Sequence, residues 1–159
     1  MNRDVMIICL GWIITIVLLL VYIPKSKIRQ ACIPFLFKQI ITWLVGLIVV
    51  ELRLLEYPVR LFSYANKTSF SFEYFIYPAF CAIFNLRYPY NKSFFRKFMH
   101  YFHYCTVLTI IEVIVEKNTN IIKYINWAWY TTWSTLFITF FISQKFYIWF
   151  FKGMDVEAK

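Results

Sequence analysis

Long apolar blocks run through this chain, separated by short basic or polar connectors. A helix needs about 20 mostly apolar residues to cross the hydrocarbon layer of a bilayer. The blocks reach or approach that length, so the pattern predicts an all-α fold, a polytopic transmembrane helix bundle of about five spans. The predicted spans are residues 5–23, 33–55, 70–86, 98–115 and 124–143. They leave no room for a separate soluble domain, so residues 1–159 are predicted to form a single membrane domain.

The first and third blocks allow other interpretations. The first resembles the apolar core of a signal peptide, but no small-residue cleavage site follows Pro24, so we expect the segment to be retained. The third contains Glu73 and Pro78 and could be a re-entrant segment in a four-span protein. That alternative would move the basic connector at residues 87–97 to the outside and weaken the charge asymmetry, so five spans are favoured.

The composition agrees with a bilayer environment. Hydrophobic residues make up 61% of the chain and charged residues 16%, and the mean hydropathy is +0.60. A soluble domain averages about 45–50% apolar and 25% charged residues, so a soluble globular protein is excluded. Gly and Pro are scarce, at 3 and 5 residues, which excludes collagen-like and linker-like chains. The lipid bilayer is therefore the expected partner.

The basic residues are distributed unevenly between the predicted sides of the membrane. Lys and Arg number 17 against 8 Asp and Glu, for a net charge of +9. Because this excess lies beside apolar blocks, topology explains it better than nucleic-acid binding, and no nucleic-acid partner is expected. Ten of the 17 share one side under the five-span model: Lys25, Lys27, Arg29, Arg87, Lys92, Arg96, Lys97, Lys145, Lys152 and Lys159. Since cytoplasmic segments carry the excess, the N-terminus is predicted outside and the C-terminus in the cytoplasm.

Cysteine, histidine and lysine inside the blocks suggest no cofactor or metal. The four cysteines form no CxxC pair, and we expect small buried hydrophobic side chains; they are Cys9, Cys32, Cys81 and Cys105. His100 and His103 share a helix face without an evident third ligand, which favours interfacial aromatics over a metal site. Lys38 is predicted to extend its ammonium towards the nearby membrane surface.

Acidic residues cluster on the predicted outer side. Six of the eight lie there: Asp4, Glu51, Glu56, Glu73, Glu112 and Glu116. Helical spacing groups polar residues into stripes. On the second span the stripe is Gln39, Thr42, Gly46, Val49, Arg53, Glu56 and Arg60, on the fourth Cys105, Thr109, Glu112 and Glu116, and on the fifth Ala128, Thr132, Thr135, Thr139 and Ser143. Small and hydroxyl residues mark helix contacts in membranes, so the stripes predict a polar seam that opens outward.

The candidate site is this seam, comprising Arg53, Glu56, Arg60, Glu73, Glu112 and Glu116. Unpaired charges are costly at this depth, so we expect Arg53 or Arg60 to neutralise Glu73 or Glu112. Such pairs could be structural and hold the bundle in register. They could instead line a pocket for a cation, a proton or a lipid headgroup.

Several segments together resemble a known family. They are FKQIITWL at residues 37–44, EYPVR at 56–60, TSFSFEYF at 68–75 and YINW at 124–127. The sequence resembles an uncharacterised family of small polytopic membrane proteins of endospore-forming bacilli and clostridia. The resemblance covers residues 24–151 and implies a bacterial plasma-membrane location. It implies no activity, substrate or active site.

Three functions are compatible with these patterns. The first is a non-catalytic membrane component, alone or as part of a homo- or hetero-oligomer. The second is a small cation or proton transporter or channel subunit, although Pro78, the one internal proline deep enough to break a span, has no counterpart in the second half. The third is an intramembrane lipid-modifying enzyme, for which no nucleophile–base pair is evident.

Overall fold

The computed structural model describes residues 3–152, and this part of the chain is mostly helical. A 3-10 turn, Lys25–Lys27, joins the first two helices, and a π-helical segment, Phe70–Ile76, runs directly into the third. The helices are α1 (Arg3–Tyr22), α2 (Ile28–Glu51), α3 (Tyr77–Leu86), α4 (Phe94–Asn118) and α5 (Trp129–Phe150). Lys159, which contributes to the predicted charge asymmetry, lies outside the described residues.

Three of the helical stretches are long and apolar enough to cross a membrane: Arg3–Tyr22, Lys25–Glu51 and Phe94–Asn118. This confirms the prediction of a mostly helical chain with helices of membrane-spanning length and composition, for three of the predicted spans. The stretch Phe70–Leu86 is apolar but shorter. Large apolar side chains also face outward, and Leu20 of α1 is 77% exposed. Such a surface requires an apolar surrounding, which a bilayer provides.

Consecutive helical segments run between two ends of the bundle. At the N-terminal end, the Arg3 guanidinium donates to the Asn118 carbonyl (2.6 Å). Here also β1 (Leu55–Glu56) pairs antiparallel with β2 (Lys123–Tyr124). At the opposite end, which we call the basic end, Arg87 lies 4.7 Å from the ring centroid of Tyr22. Phe37 near the start of α2 stacks there on Phe146 near the end of α5, at 3.8 Å.

At the N-terminal end of the bundle, α2 and α5 stop short of their predicted limits. α2 ends at Glu51, before the predicted limit at residue 55, because the chain turns at Arg53 with a positive φ of 52° and enters β1. α5 begins at Trp129, after the predicted start at residue 124, because Lys123 and Tyr124 pair with β1. It then continues to Phe150. Long-range strand pairing therefore sets both boundaries at the N-terminal end.

Two apolar clusters hold the bundle together. The larger one surrounds Phe84 of α3, which is fully buried against Tyr101 of α4 and Phe140 of α5, with ring centroids 4.9 and 4.8 Å away. The smaller one lies at the N-terminal end, where Leu55 and Ile122 pack on Val49 of α2. The two clusters lie on either side of a polar interior.

The cysteines divide into two pairs. Cys81 and Cys105 are buried, as expected, and belong to the cluster around Phe84. Cys9 of α1 and Cys32 of α2 are exposed, contrary to the expectation of burial. The outward faces of α1 and α2 would meet lipid in a bilayer, so a small apolar thiol is still compatible with those positions.

Candidate functional site

The Glu73 carboxylate is inserted between α2 and α3. Glu73 lies in the π-helical segment, its side chain is buried, and Gly46 of α2 faces it. A Cβ atom at position 46 would collide with the carboxylate, so only glycine leaves the space that Glu73 occupies. π-Helical turns are rare and occur often at functional sites. Here the wider turn carries the acidic side chain into the bundle.

Polar contacts to the backbone fix this segment on α2. The Thr42 hydroxyl lies 2.6 Å from the Glu73 carbonyl oxygen and 2.8 Å from that of Lys38. The side-chain amide of Gln39 donates to the Tyr74 carbonyl at 2.8 Å. Both residues belong to the stripe predicted for the second span. The N-terminal part of this stripe, Gln39 and Thr42, therefore positions Glu73.

The carboxylate itself accepts no hydrogen bond of regular geometry within residues 3–152, although both of its oxygens are buried. The hydroxyls of Tyr57 and Thr68 and the backbone amide of Ser69 lie beside it as hydrogen-bond donors in less regular geometry. A buried polar group without a hydrogen bond is costly, and a buried charge more so. An ionisable side chain buried in this way marks a candidate functional site.

Glu112 of α4, by contrast, has a full set of donors. The hydroxyls of Tyr124 and Thr132 donate to one of its oxygens at 2.6 and 2.7 Å, and Tyr77 donates to the other. The Trp127 indole in turn donates to the Thr132 hydroxyl at 2.7 Å. Glu112 is therefore the acceptor in each of these three hydrogen bonds.

Both glutamates line one cavity of about 80 Å³. A water molecule needs about 10–15 Å³ of such volume, so the cavity has room for a few waters or one small ion. The remaining wall combines hydroxyl groups with apolar side chains. It includes Thr42, Val45, Gly46, Val49, Leu55, Tyr57, Tyr77, Trp127, Thr132, Thr135, Leu136 and Thr139.

Lys38 lies between the cavity and the basic end of the bundle and is fully buried. Its ammonium donates to the Thr139 hydroxyl at 2.5 Å and lies 4.5 Å from the ring centroid of Phe140. The predicted extension towards the membrane surface is therefore wrong, because α5 covers the side chain. Thr139 also lines the cavity, so one hydroxyl connects the buried ammonium to the cavity wall.

Tyr57 marks the rim at the N-terminal end. It lies in the connector after β1 and is buried. Burial is the main cause that raises its pKa well above the ordinary value, and the negative charges of Glu73 and Glu112 raise it further. The Tyr57 hydroxyl therefore stays protonated and serves as a hydrogen-bond donor next to the cavity.

The structure brings together only part of the predicted seam. Glu73 and Glu112 share the cavity, whereas Arg53 and Glu56 are exposed in the connector beyond α2 and Glu116 is half-buried on α4. Arg60 donates to three backbone carbonyls of its own connector, those of Tyr57, Ser63 and Asn66.

The expected neutralisation of glutamate by arginine does not occur in this part of the chain. The one ion pair within residues 3–152 joins Arg3 to Asp4, at 3.8 Å. Arg53 and Arg60 miss the cavity because α2 ends at Glu51, before either residue could continue its stripe. Lys38 is instead the buried basic residue nearest to the cavity wall.

Several site residues were missed in the sequence. Lys38 precedes Thr42 by one helical turn, so extending the predicted stripe backwards would have included it. The tyrosines Tyr57, Tyr77 and Tyr124 come from three different elements and carried no periodic signal. Of the two histidines, His100 contacts the Phe84 carbonyl at 3.1 Å.

Comparison with known proteins adds no assignment, since no protein-family model, curated protein or solved structure matches this chain.

Proposed function

We propose that this protein crosses a bacterial plasma membrane five times, with its N-terminus outside, and takes up one small positive charge, a proton or a monovalent cation, in the cavity at its N-terminal end. The alternation of the helical segments between two ends supports the five crossings. The resemblance to small membrane proteins of endospore-forming bacteria supports the location. The basic connectors on one end support the orientation.

The observation that carries the binding proposal is the buried Glu73 carboxylate in the cavity wall, neither oxygen of which accepts a hydrogen bond of regular geometry within residues 3–152. The cavity wall holds two carboxyl groups, Glu73 and Glu112, and Lys38 is the buried basic side chain beside it, so one carboxyl group is left to take up a single positive charge. The small volume excludes larger organic ligands, and the surrounding hydroxyls of Thr42, Thr132 and Tyr57 are suitable oxygen ligands for a small cation.

A second observation favours transport over a purely structural component. Polar side chains continue from the cavity towards the basic end through Thr139 and Lys38. Beyond them, Cys81 and Asn85 of α3 both contact the Ser143 hydroxyl of α5, at 3.0 and 3.3 Å. The side-chain oxygen of Asn85 is buried without a hydrogen-bond partner among the described residues. Such a line of groups could relay a proton between the two ends.

Binding is tested with purified protein in neutral detergent. Thermal stability is measured against sodium and potassium concentration at constant ionic strength, and separately against pH. A ligand that binds the folded state stabilises it in proportion to the logarithm of its concentration. We expect wild type to respond and Glu73→Gln to lose the response, while the exposed Glu51→Gln control retains it.

The pattern of the response identifies the ligand. A cation-dependent stability at fixed pH indicates a metal cation, and a pH response without a cation effect indicates a proton. The same response in wild type and Glu73→Gln would refute the binding proposal. Flux of the identified species into liposomes then separates a transporter from a binding component, with Glu73→Gln and Glu51→Gln as the matched pair.

The crossings are tested by labelling Lys67→Cys and Lys92→Cys in a Cys9→Ser, Cys32→Ser background. Both positions are exposed, and they lie in connectors at opposite ends. An impermeant thiol reagent should reach residue 67 from outside and residue 92 only after the membrane is opened. Labelling of both residues from the same side would refute the five-span topology.

A further inference from the structure

An apolar cleft opens between α1 and α2 at the basic end of the bundle. α1 packs on the π-helical segment and α3, where Trp12 stacks on Phe75 at 4.2 Å. Phe75 and Ala82 form the floor of the cleft. Its volume is about 460 Å³, and its walls are Leu19, Leu20, Ile23, Ile28, Ala31, Cys32 and Phe35. This volume falls within the range of about 300–1,000 Å³ that small-molecule sites occupy.

The mouth of this cleft is basic. Lys25 lines it directly, from the turn that joins the two helices. Lys27 and Arg29 follow in the sequence, and Arg87 lies at the same end against Tyr22. The sequence contains no acidic residue between positions 23 and 50 or between 74 and 111. Nothing from α2, α3 or the start of α4 therefore neutralises this group of positive charges.

We infer that this cleft binds one acyl chain of an anionic phospholipid, whose phosphate group pairs with Lys25. A chain lying in the cleft would contact apolar side chains along its length. Its headgroup would reach the turn at Lys25, where a polar and negatively charged group finds its counter-charges. Basic pockets between helices at the cytoplasmic side of a membrane recognise anionic headgroups in this way.

This inference rests on the proposed membrane location but not on the cation site. The cleft and the cavity have no lining residue in common. A lipid in the cleft would bridge α1 to α2, which meet at the turn of Lys25–Lys27. Anionic lipid should therefore bind even if the cavity proves to take up no cation.

Cys32 provides a reporter inside the cleft. It is exposed and lines the wall, whereas Cys81 and Cys105 are buried. In a Cys9→Ser background, Cys32 is the accessible thiol of the four. The alkylation rate of Cys32 is measured in neutral detergent with added phosphatidylglycerol, phosphatidylcholine with the same acyl chains, or inorganic phosphate. Thermal stability is measured in the same samples.

We expect phosphatidylglycerol to slow alkylation several-fold more than phosphatidylcholine and to raise the melting temperature, and inorganic phosphate to do neither. Lys25→Gln should abolish the difference between the two lipids. The control Lys117→Gln, exposed at the N-terminal end, should preserve it. Leu20→Trp, which fills the cleft from the exposed face of α1, should reduce protection by both lipids.

Three results would overturn the inference. Equal protection by the two lipids would show that the headgroup is not recognised. An unchanged lipid preference in Lys25→Gln would place the recognition elsewhere. Protection by phosphate alone would indicate a site for a free anion. Glu73→Gln should keep the lipid preference, so failure of the cation proposal and failure of this one are separately visible.

Discussion

The Glu73 carboxylate occupies the space in which any side chain at position 46 would lie. The two residues come from different elements, α2 and the π-helical segment. The absence of a side chain at Gly46 leaves the room that the Glu73 carboxylate fills. Glycine is otherwise unfavourable inside a helix, by about 1 kcal/mol relative to alanine. Its presence at position 46 is therefore accounted for by the acidic side chain that packs on it.

Gly46→Ala should destabilise the protein despite the better helix propensity of alanine. The new methyl group must displace the Glu73 carboxylate, and overpacking of this kind costs about 1–3 kcal/mol. Gly11→Ala is the matched control, because its methyl group would meet only Ile76, at an ordinary 3.6 Å. Thermal unfolding in detergent measures both. Adding Glu73→Ala should restore the stability of Gly46→Ala, and a failure of this rescue would contradict the proposed contact.

Features that depend on local interactions could be predicted from the sequence, whereas features that depend on long-range contacts could not. Helical periodicity is local, so it identified the α5 stripe, and Thr132, Thr139 and Ser143 are indeed buried. It also placed Glu112 on an inward face. The end of α2 depends on the pairing of β1 with β2, which are far apart in the sequence. Periodicity alone therefore continues the stripe through Arg53 to Arg60 and predicts the wrong cationic partners for the glutamates.

Lys38 shows a second limit of the sequence. A lysine one or two turns inside a span normally extends to the interface. Whether it can do so depends on which neighbouring helix covers it, and periodicity does not contain that information. In this bundle, Thr139 and Phe140 of α5 enclose the ammonium.

The hydroxyl groups around Glu112 should contribute to stability together. Hydrogen bonds between membrane helices average about 0.6 kcal/mol and reach about 1.7 kcal/mol, so Tyr124→Phe should cost an amount in this range. The double variant Tyr77→Phe/Tyr124→Phe should lose more than the sum of the single losses, because it leaves a buried carboxylate short of donors. Tyr130→Phe, at an exposed position of α5, is the control. Equal stabilities of Tyr124→Phe and Tyr130→Phe would refute the network.

Lys38 and Thr139 should be coupled in a double-mutant cycle. Thr139→Val removes the acceptor of a buried ammonium and should destabilise wild type, by about 1–3 kcal/mol. In a Lys38→Met background the same change should cost much less, because the charge that needs the hydroxyl is absent. Lys38→Met itself should be at least as stable as wild type, since replacing a buried charge by a well-packed apolar side chain is often neutral or stabilising. Additive losses would show that the contact contributes nothing.

The buried Tyr57 should make the protein sensitive to alkaline pH. Its pKa is raised in the folded state, first by burial and then by Glu73 and Glu112, whereas the unfolded chain has the ordinary value near 10. Above about pH 10 the unfolded state has lost a proton that the folded state still binds, so stability must fall as the pH rises. The contribution of Tyr57 is complete below pH 10 and decreases above it, by about 1.4 kcal/mol per pH unit.

Unfolding free energies between pH 9 and pH 11, measured in wild type and Tyr57→Phe, test this dependence. Other groups titrate in the same range, so the difference between the two proteins is the relevant quantity. That difference should shift in favour of Tyr57→Phe as the pH rises, because phenylalanine has no proton to lose. Tyr64→Phe, at a fully exposed position of the same connector, controls for the loss of a tyrosine hydroxyl. Parallel pH profiles of wild type and Tyr57→Phe would contradict the placement of Tyr57 beside the two glutamates.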